Sequence, residues 1–143
     1  MWQSTRIMAE EIAAGIQDTD TSVQVKLYNL SKSDKNDVIT EVFKSRAILV
    51  GSSTINNGYL VSVAGILEEI RGLKFKDKKA AAFGSYGWSG EAVKLINKEL
   101  EKAGFAQVND GLRLTWNPDN EQQEICRQFG REFVGLLDES SDE

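Results

Sequence analysis

The sequence predicts a doubly wound α/β domain, in which helices cover both faces of a parallel sheet. Helical and strand patterns alternate along the chain, as they do in folds built from right-handed crossovers. Two runs, Ala47 to Val50 and Ala80 to Phe83, are entirely apolar, which is typical of strands covered on both faces. A chain of 143 residues, 41% of them hydrophobic and 27% charged, suits a single core. We therefore expect one domain over residues 1–137.

Two helices and two strands are predicted in the first third of the chain. Apolar residues recur at helical spacing from Gln3 to Ile16. The stretch Val23 to Tyr28 alternates apolar and polar residues, which predicts an edge strand. A second helix, with its apolar face between Val38 and Phe43, leads into the buried strand Ala47 to Val50.

The middle of the chain repeats the pattern of helix and strand. A third helix carries apolar residues from Leu60 to Ile70, and Gly72 is predicted to end it. After the strand Ala80 to Phe83, a fourth helix is predicted from Ala92 to Ala103, with Gly104 at its end.

The last part of the chain predicts an edge strand and a final helix. The stretch Leu112 to Trp116 alternates apolar and polar residues, which predicts an edge strand with one face more exposed to solvent. Asn117 is predicted to cap the final helix, with Pro118 at its first position and an apolar stripe as far as Leu137. The acidic tail, residues 138–143, is expected to fray.

The count of elements is uneven, because five helices are predicted but only four strands. In the five-stranded doubly wound order, the two amphipathic strands lie at the edges and the two apolar ones lie inside. The remaining interior strand has no counterpart before Gln3, which leaves a gap of about 9–10 Å in the sheet. We expect that Met1 is not the natural start, or that the sheet is completed in another way.

Charge and hydropathy exclude several classes of function. The net charge is −5 and the pI is about 4.9, which disfavours a nucleic-acid partner because such binding needs clustered cations. No run is long and apolar enough to span a bilayer, and no signal peptide is recognised, so we expect a cytoplasmic protein without a membrane partner.

The scarcity of histidine and cysteine narrows the chemistry further. The chain has no histidine, which excludes a Ser-His-Asp triad and histidine-ligated metal sites. Its single cysteine, Cys126, lies in an apolar helical stripe and is predicted to be a buried, inert thiol. We therefore expect no catalytic residue and no metal ligand in this chain.

The stretch Gly84 to Gly90 is the most informative in the chain. It follows a buried strand and precedes a helix, and ligands of open parallel sheets bind at this edge. Its three glycines allow the backbone to approach a flat ligand closely. Tyr86 and Trp88 offer aromatic faces that such a short loop cannot easily bury.

Two further loops complete a recognisable set: Trp2 to Thr5 before the first helix, and Gly51 to Gly58 after a strand. Together with Gly84 to Gly90, they resemble the flavodoxin-like domain of the A-type flavoproteins, also called flavodiiron proteins or flavorubredoxins. The resemblance covers Met1 to about Leu137. Two features depart from the family pattern: Ser53 stands where a proline is usual, and the first strand with its final Asp-Thr is absent.

The resemblance implies noncovalent FMN, bound by all three loops. The residues implied are Trp2, Gln3, Ser4 and Thr5 in the first loop; Ser52, Ser53, Thr54, Ile55, Asn56, Asn57 and Gly58 in the second; and Ser85, Tyr86, Gly87, Trp88, Ser89 and Gly90 in the third. A phosphate at the start of the first helix would meet free backbone N–H groups and the positive helix end. The alternative for the hydroxyls of this loop is that they only cap the helix.

For the isoalloxazine ring, Trp88 is the favoured stacking residue and Tyr86 the second. The alternative for Trp88 is a core position against the next helix. The backbone from Asn56 to Gly58 is expected to face the ring edge, although both asparagines also suit simple turns.

The leading functional hypothesis is an FMN-carrying electron-transfer domain, an electron carrier and not a complete enzyme. In the family such a domain passes electrons to a fused di-iron domain, and the acidic surface also suits a separate basic redox protein. A homodimer is left open. Two alternatives are a receiver-like signalling domain, which needs an aspartate where Gly51 stands, and a flavin-less structural or assembly domain.

Overall fold

The computed structural model describes residues 2–30, 32–52, 61–73, 78–86, 91–115 and 119–141. The helices in these ranges are α1 (Trp2–Thr19), α2 (Lys35–Lys44), α3 (Val61–Leu73), α4 (Glu91–Lys102) and α5 (Asn120–Ser141). The strands in these ranges are β1 (Ala47–Gly51), β2 (Lys79–Tyr86), β3 (Ala106–Gln107) and β4 (Leu112–Thr115). All pairings between these strands are parallel, so the predicted doubly wound α/β class is confirmed.

Strand β2 is the centre of the sheet. β1 pairs with one edge of β2 in a register that sets Leu49 beside Ala81 and Gly51 beside Phe83. β3 and β4 both pair with the other edge, β3 near the start of β2 and β4 near its end. They are therefore two segments of one edge strand, of which the sequence pattern predicted only the second.

The interruption between β3 and β4 depends on a glycine. Gly111 has a φ of +94°, a region that side chains rarely adopt, and its N–H donates to the Asn109 side-chain oxygen at 2.8 Å. A Cβ atom at Gly111 would lie 2.7 Å from both the Ala82 carbonyl oxygen and the Val93 side chain. The chain re-enters the sheet here because residue 111 has no side chain.

Two apolar clusters lie on opposite faces of β2, as the alternation of its side chains requires. Ala80 and Ala82 face the cluster built by α2, α3 and α4. Ala81 and Phe83 face the cluster built by α1 and α5, which contains Met8, Ile12, Ile16, Cys126, Phe129, Phe133, Val134 and Leu137. This burial explains why the run Ala80 to Phe83 is continuously apolar in sequence.

Helices α1 and α5 approach each other closely through two glycines. A Cβ atom at Gly15 would collide with the Arg127 carbonyl, and one at Gly130 would collide with the Ile12 carbonyl. The Arg127 guanidinium also donates to the Glu11 carboxylate at 2.6 Å. The two helices therefore form one layer.

Three cations bind carbonyls in the C-terminal parts of two helices. Lys78 donates to the carbonyls of Phe43, at 3.0 Å, and Ser45, at the end of α2. Lys79 donates to the Leu136 and Leu137 carbonyls of α5 at 3.4 and 3.3 Å, and Arg46 donates to Leu137 at 3.2 Å. Positive groups at this position complement the negative end of the helix dipole.

Helix ends agree with the sequence prediction in one case and differ in two. Gly104 ends α4 with a φ of +97°, and the N–H of Phe105 donates to the Leu100 carbonyl at 3.1 Å, which confirms the predicted cap. Gly72 does not end α3, which continues to Leu73.

The final helix begins two residues later than predicted. It starts at Asn120 and not at Pro118, which itself lies outside the described residues, as does Asn117. Asp119 caps it, because its carboxylate accepts from the Gln122 N–H at 2.9 Å while the Gln122 side chain accepts from the Asp119 N–H at 3.3 Å. The helix continues to Ser141, and the domain boundary at Leu137 with a frayed tail stays a prediction.

The predicted edge strand at Val23 to Tyr28 is wrong for this structure. Residues 23–29 form neither helix nor strand and belong to no strand ladder in the described part of the chain. A strand is defined by hydrogen bonds to a neighbour, and among the described strands β1 pairs with β2 alone. An alternating pattern predicts which face is buried, but it does not supply the neighbour.

We predict that Gly111→Ala lowers the free energy of unfolding by about 1–3 kcal/mol, because alanine is strained at this φ and its Cβ meets the Ala82 carbonyl. Urea unfolding followed by circular dichroism measures this change. Gly135→Ala is the matched control: within the described residues a Cβ at Gly135 meets nothing within 4 Å, and alanine should stabilise α5 by about 0.5–1 kcal/mol. Equal effects of the two substitutions would contradict the strain at Gly111.

We also predict that Cys126 reacts very slowly with iodoacetamide in the folded protein at pH 8. The side chain is fully buried, and burial raises the pKa of its thiol to about 11, with a smaller contribution from the Glu11 carboxylate. The unfolded thiol has a pKa of about 8.5, so this group also makes folding less favourable as pH rises from about 8.5 towards 11. Mass spectrometry should show alkylation in urea and little without it; rapid labelling of the folded chain at pH 8 would disprove the burial.

Candidate functional site

The structure places the ends of β1 and β2 and the first turn of α1 at one edge of the sheet, but the prediction of a loop at Trp2 to Thr5 is wrong, because α1 already begins at Trp2. β1 and β2 are parallel and end side by side, with Gly51 beside Phe83. The first turn of α1 lies at the same edge, because the Thr5 hydroxyl contacts the Ser85 hydroxyl. This is the carboxyl edge of the sheet, where doubly wound folds bind ligands.

The contact between Thr5 and Ser85 joins the first helix to the central strand. Their hydroxyl oxygens are 3.2 Å apart, and either can donate to the other. Ser85 is fully buried, and it belongs to β2, which continues to Tyr86 and so includes the first part of the stretch that we predicted as a loop. Since only one of the two protons is used between them, the pair retains a donor for a third group.

The ends of β1 and β2 approach each other closely at Gly84. The Ser52 N–H donates to the Phe83 carbonyl at 3.2 Å, which extends the ladder one residue beyond β1. A Cβ atom at Gly84 would collide with the Ser52 carbonyl oxygen. Ser52, like Ser85, is fully buried. The glycine is therefore needed for packing between the strands, a role that the sequence analysis did not separate from approach to a ligand.

The first turn of α1 has the charge pattern of an anion site. The first N–H groups of any α-helix lack partners within the helix, and its N-terminus carries about half a positive charge. No acidic residue lies in the first turn of α1. The nearest cation along the helix, Arg6, is exposed and pairs with Glu10 at 2.8 Å, so its charge is already engaged.

The remaining predicted site residues lie outside what the structure describes. These are the whole of Ser53 to Gly58 and of Gly87 to Gly90, together with the side chains of Trp2, Gln3, Ser4 and Tyr86. Their roles in stacking and in contacts with the ring edge stay predictions. Of the predicted set, the structure brings together Thr5, Ser52 and Ser85, and their part in binding also stays a prediction.

The donor set at this edge fits a phosphorylated, flat ligand. Hydroxyl donors and a helix N-terminus are suited to a phosphate dianion and need no lysine. The residues where the strands end, Gly51, Ser52, Gly84 and Ser85, are small, which suits a site for a flat ring system. The sequence analysis identified the residue types but not the contact between the Thr5 and Ser85 hydroxyls, which joins residues 80 positions apart.

Comparisons with known proteins agree with this geometry. The family model described as flavodoxin matches residues 1–130. The anaerobic nitric oxide reductase flavorubredoxin of Aliivibrio fischeri is 52% identical over 131 residues, which are 92% of this chain and 26% of that protein. The chain therefore spans about a quarter of the length of the curated relatives that it matches.

Solved structures give the same result. Rubredoxin oxygen:oxidoreductase from Desulfovibrio gigas superposes with a TM-score of 0.89 and 33% identity, covering 96% of this chain and 34% of that one. A flavodoxin from the domain Archaea superposes with a TM-score of 0.82 and 29% identity, covering 94% of this chain and 91% of that one.

Fold, edge chemistry and comparisons together define a flavin-binding domain of the doubly wound α/β class. The chain belongs to the flavodoxin family, and the predicted similarity to flavorubredoxins and flavodiiron proteins is confirmed. FMN is the cofactor of this domain, as the resemblance of the three loops to the family implied. No helix in the described ranges has both the length and the apolar character needed to cross a membrane.

We predict that Gly84→Ala weakens FMN binding and lowers the free energy of unfolding. The added methyl group would force the ends of β1 and β2 apart, and overpacking of this kind typically costs about 1–3 kcal/mol. Flavin titration and urea unfolding measure the two effects, with Gly135→Ala as the control far from the site. Unchanged FMN affinity in Gly84→Ala would show that the spacing of β1 and β2 does not matter for binding.

Proposed function

We propose that this domain is an electron carrier, which holds FMN at the carboxyl edge of its sheet and exchanges electrons with a redox partner. The observation that carries the proposal is the contact between the Thr5 and Ser85 hydroxyls, because it fixes the start of α1 against the end of β2. FMN, when bound, supplies reversible redox chemistry that no side chain of this chain offers. The protein supplies binding, orientation and electrostatics.

In this proposal the first turn of α1 binds the phosphate. Backbone N–H groups and the Thr5 hydroxyl donate to the phosphate. The Ser85 hydroxyl orients the Thr5 hydroxyl through the hydrogen bond between them. Because Ser85 is fully buried in β2, its position is set by the sheet and not by a mobile side chain. Because the net charge of the chain is −5, the positive end of α1 is a more important attraction for an anion.

The ring is proposed to lie over the ends of β1 and β2. Trp88 would stack on it, with Tyr86 as a second aromatic contact and the backbone from Asn56 to Gly58 at the ring edge. Backbone donors near the reactive ring atoms would tune the potential of the flavin. Ser52 is buried and Gly84 lies close to the Ser52 carbonyl, which supports a tightly packed surface for such a ring at the ends of β1 and β2.

We further propose that the acceptor is a reductase domain joined to this one in a longer protein. Relatives named as nitric oxide reductase flavorubredoxin and as rubredoxin oxygen:oxidoreductase support this, since the chain matches about a quarter and a third of their lengths. A di-iron domain is the proposed acceptor, and a homodimer is compatible with this arrangement. The receiver-like alternative has no support, because Gly51 ends β1 where a phosphoacceptor aspartate would be needed.

We predict that the protein binds FMN more tightly than riboflavin, and that Thr5→Val removes part of that preference. Loss of one hydrogen bond to a charged group costs about 1.5–3 kcal/mol, so FMN affinity should fall about tenfold or more while riboflavin affinity stays constant. Quenching of flavin fluorescence measures both affinities.

Thr19→Val is the matched control. Its hydroxyl donates to the Gly15 carbonyl at the other end of α1, so this substitution should leave both affinities unchanged. Equal affinity for FMN and riboflavin in the unmodified protein would disprove the phosphate assignment. Failure to bind either flavin would favour the structural or assembly alternative.

A further inference from the structure

The aromatic ring of Phe83 lies against the last residue of β1. Phe83 and Gly51 are partners in the register of β1 and β2, so their Cα atoms present the same face of the sheet. Helices α1 and α5 cover this face, because Phe83 belongs to their apolar cluster. A Cβ atom at Gly51 would collide with the Phe83 ring. The ring therefore reaches from β2 across to the end of β1.

Residue 51 is a glycine because of this ring and not because of its backbone conformation. Gly51 lies in β1, and the positive φ values among the described glycines are those of Gly104 and Gly111. A left-handed turn is therefore not the reason for glycine at residue 51. The reason is space, since any side chain here would have to displace the ring of Phe83.

Phe83 holds the end of β1 through two contacts. Its ring packs against Gly51, and its carbonyl accepts a hydrogen bond from the Ser52 N–H at 3.2 Å. Both Phe83 and Ser52 are buried. On the other edge of β2, Phe83 pairs with Leu112 of β4. Strands on both sides therefore keep Phe83 in place, and Phe83 in turn fixes the point at which the chain leaves β1.

We propose that Phe83 is a positioning residue for the second flavin loop, Ser52 to Gly58. This inference rests on the proposed function, in which the backbone of that loop lies at the edge of the flavin ring. Binding groups have to be held within about 0.5 Å of their productive positions. Because the loop leaves the sheet at Ser52, the two contacts of Phe83 set its starting position. Phe83 itself does not touch the flavin and acts only through the end of β1.

The role of Phe83 differs from that of Ser85, although both residues lie on the same face of β2. Ser85 contacts Thr5 of α1, where the phosphate is proposed to bind. Phe83 contacts the end of β1, where the flavin ring is proposed to lie. A change at Phe83 therefore alters contacts to the ring, which FMN and riboflavin share, and leaves the contacts to the phosphate intact.

The first test is Phe83→Leu, which removes the outer part of the ring next to Gly51. We expect the affinities for FMN and riboflavin to fall together, each by about fivefold, since contacting residues are typically coupled by factors from about two to more than a hundred. The ratio of the two affinities should not change, and the midpoint potential of the bound flavin should shift. Quenching of flavin fluorescence measures the affinities, and equilibration with a redox dye measures the potential.

Phe133→Leu is the matched control. Phe133 is buried in the same apolar cluster, but it lies one turn before Leu136 and Leu137, whose carbonyls contact Lys79 at the opposite end of β2. This substitution should lower the stability of the domain without changing either flavin affinity or the potential. Should Phe83→Leu not fold, Phe83→Met with Phe133→Met gives the same comparison, because methionine fills the volume without a flat ring.

A pair of substitutions tests the contact between Phe83 and Gly51 directly. Gly51→Ala should weaken the binding of both flavins, because its methyl group collides with the ring. Adding Phe83→Leu to Gly51→Ala should restore part of this affinity, because the smaller side chain leaves room for the methyl group. Losses that simply add in the double variant would show that the two residues act independently, and would overturn the proposal.

Two further results would overturn the proposal and leave the proposed function standing. One is flavin affinities in Phe83→Leu equal to those in Phe133→Leu. The other is a fall in the affinity for FMN alone, which would place the effect at the phosphate and not at the ring. Failure of the unmodified chain to bind either flavin is a different result, because it would overturn the proposed function and this proposal together.

Discussion

The burial of β2 on both faces and both edges is the constraint on which the rest of the domain depends. Its three alanines are completely inaccessible, and each side of the strand supports a different helix layer. Small side chains at these positions let helices from both layers pack close to the sheet. Because the strand continues to Tyr86, the same rigid element that organises the core also holds Ser85 in the functional edge.

Much of this fold was predictable because its signals are local. The apolar runs that became β1 and β2, the helical spacing of the five helices and the glycine that ends α4 each depend on a few neighbouring residues. The segment at Val23 and the two-residue strand β3 were not predicted correctly, because a strand depends on a partner distant in sequence. The start of α5 was misplaced because Asp119 competes with Asn117 as a cap, and the exchange of hydrogen bonds with Gln122 favours Asp119.

The site shows the same division between local and distant information. Glycines, serines and aromatic residues between a buried strand and a helix indicate a loop that binds a flat ligand, and membership of the flavodoxin family agrees with that indication. The contact of Thr5 with Ser85 and the approach of Gly84 to Ser52 join residues from separate parts of the chain. No periodicity or spacing reports such contacts, since they arise only when β1, β2 and α1 are assembled.

Two adjacent lysines at the start of β2 contact both helix layers. Lys78 donates to carbonyls at the end of α2, and Lys79 donates to carbonyls of α5. These two adjacent residues therefore connect both helix layers to the start of β2. The other end of the same strand carries Ser85, which contacts Thr5, so one strand holds the helix layers at its start and the first turn of α1 at its end.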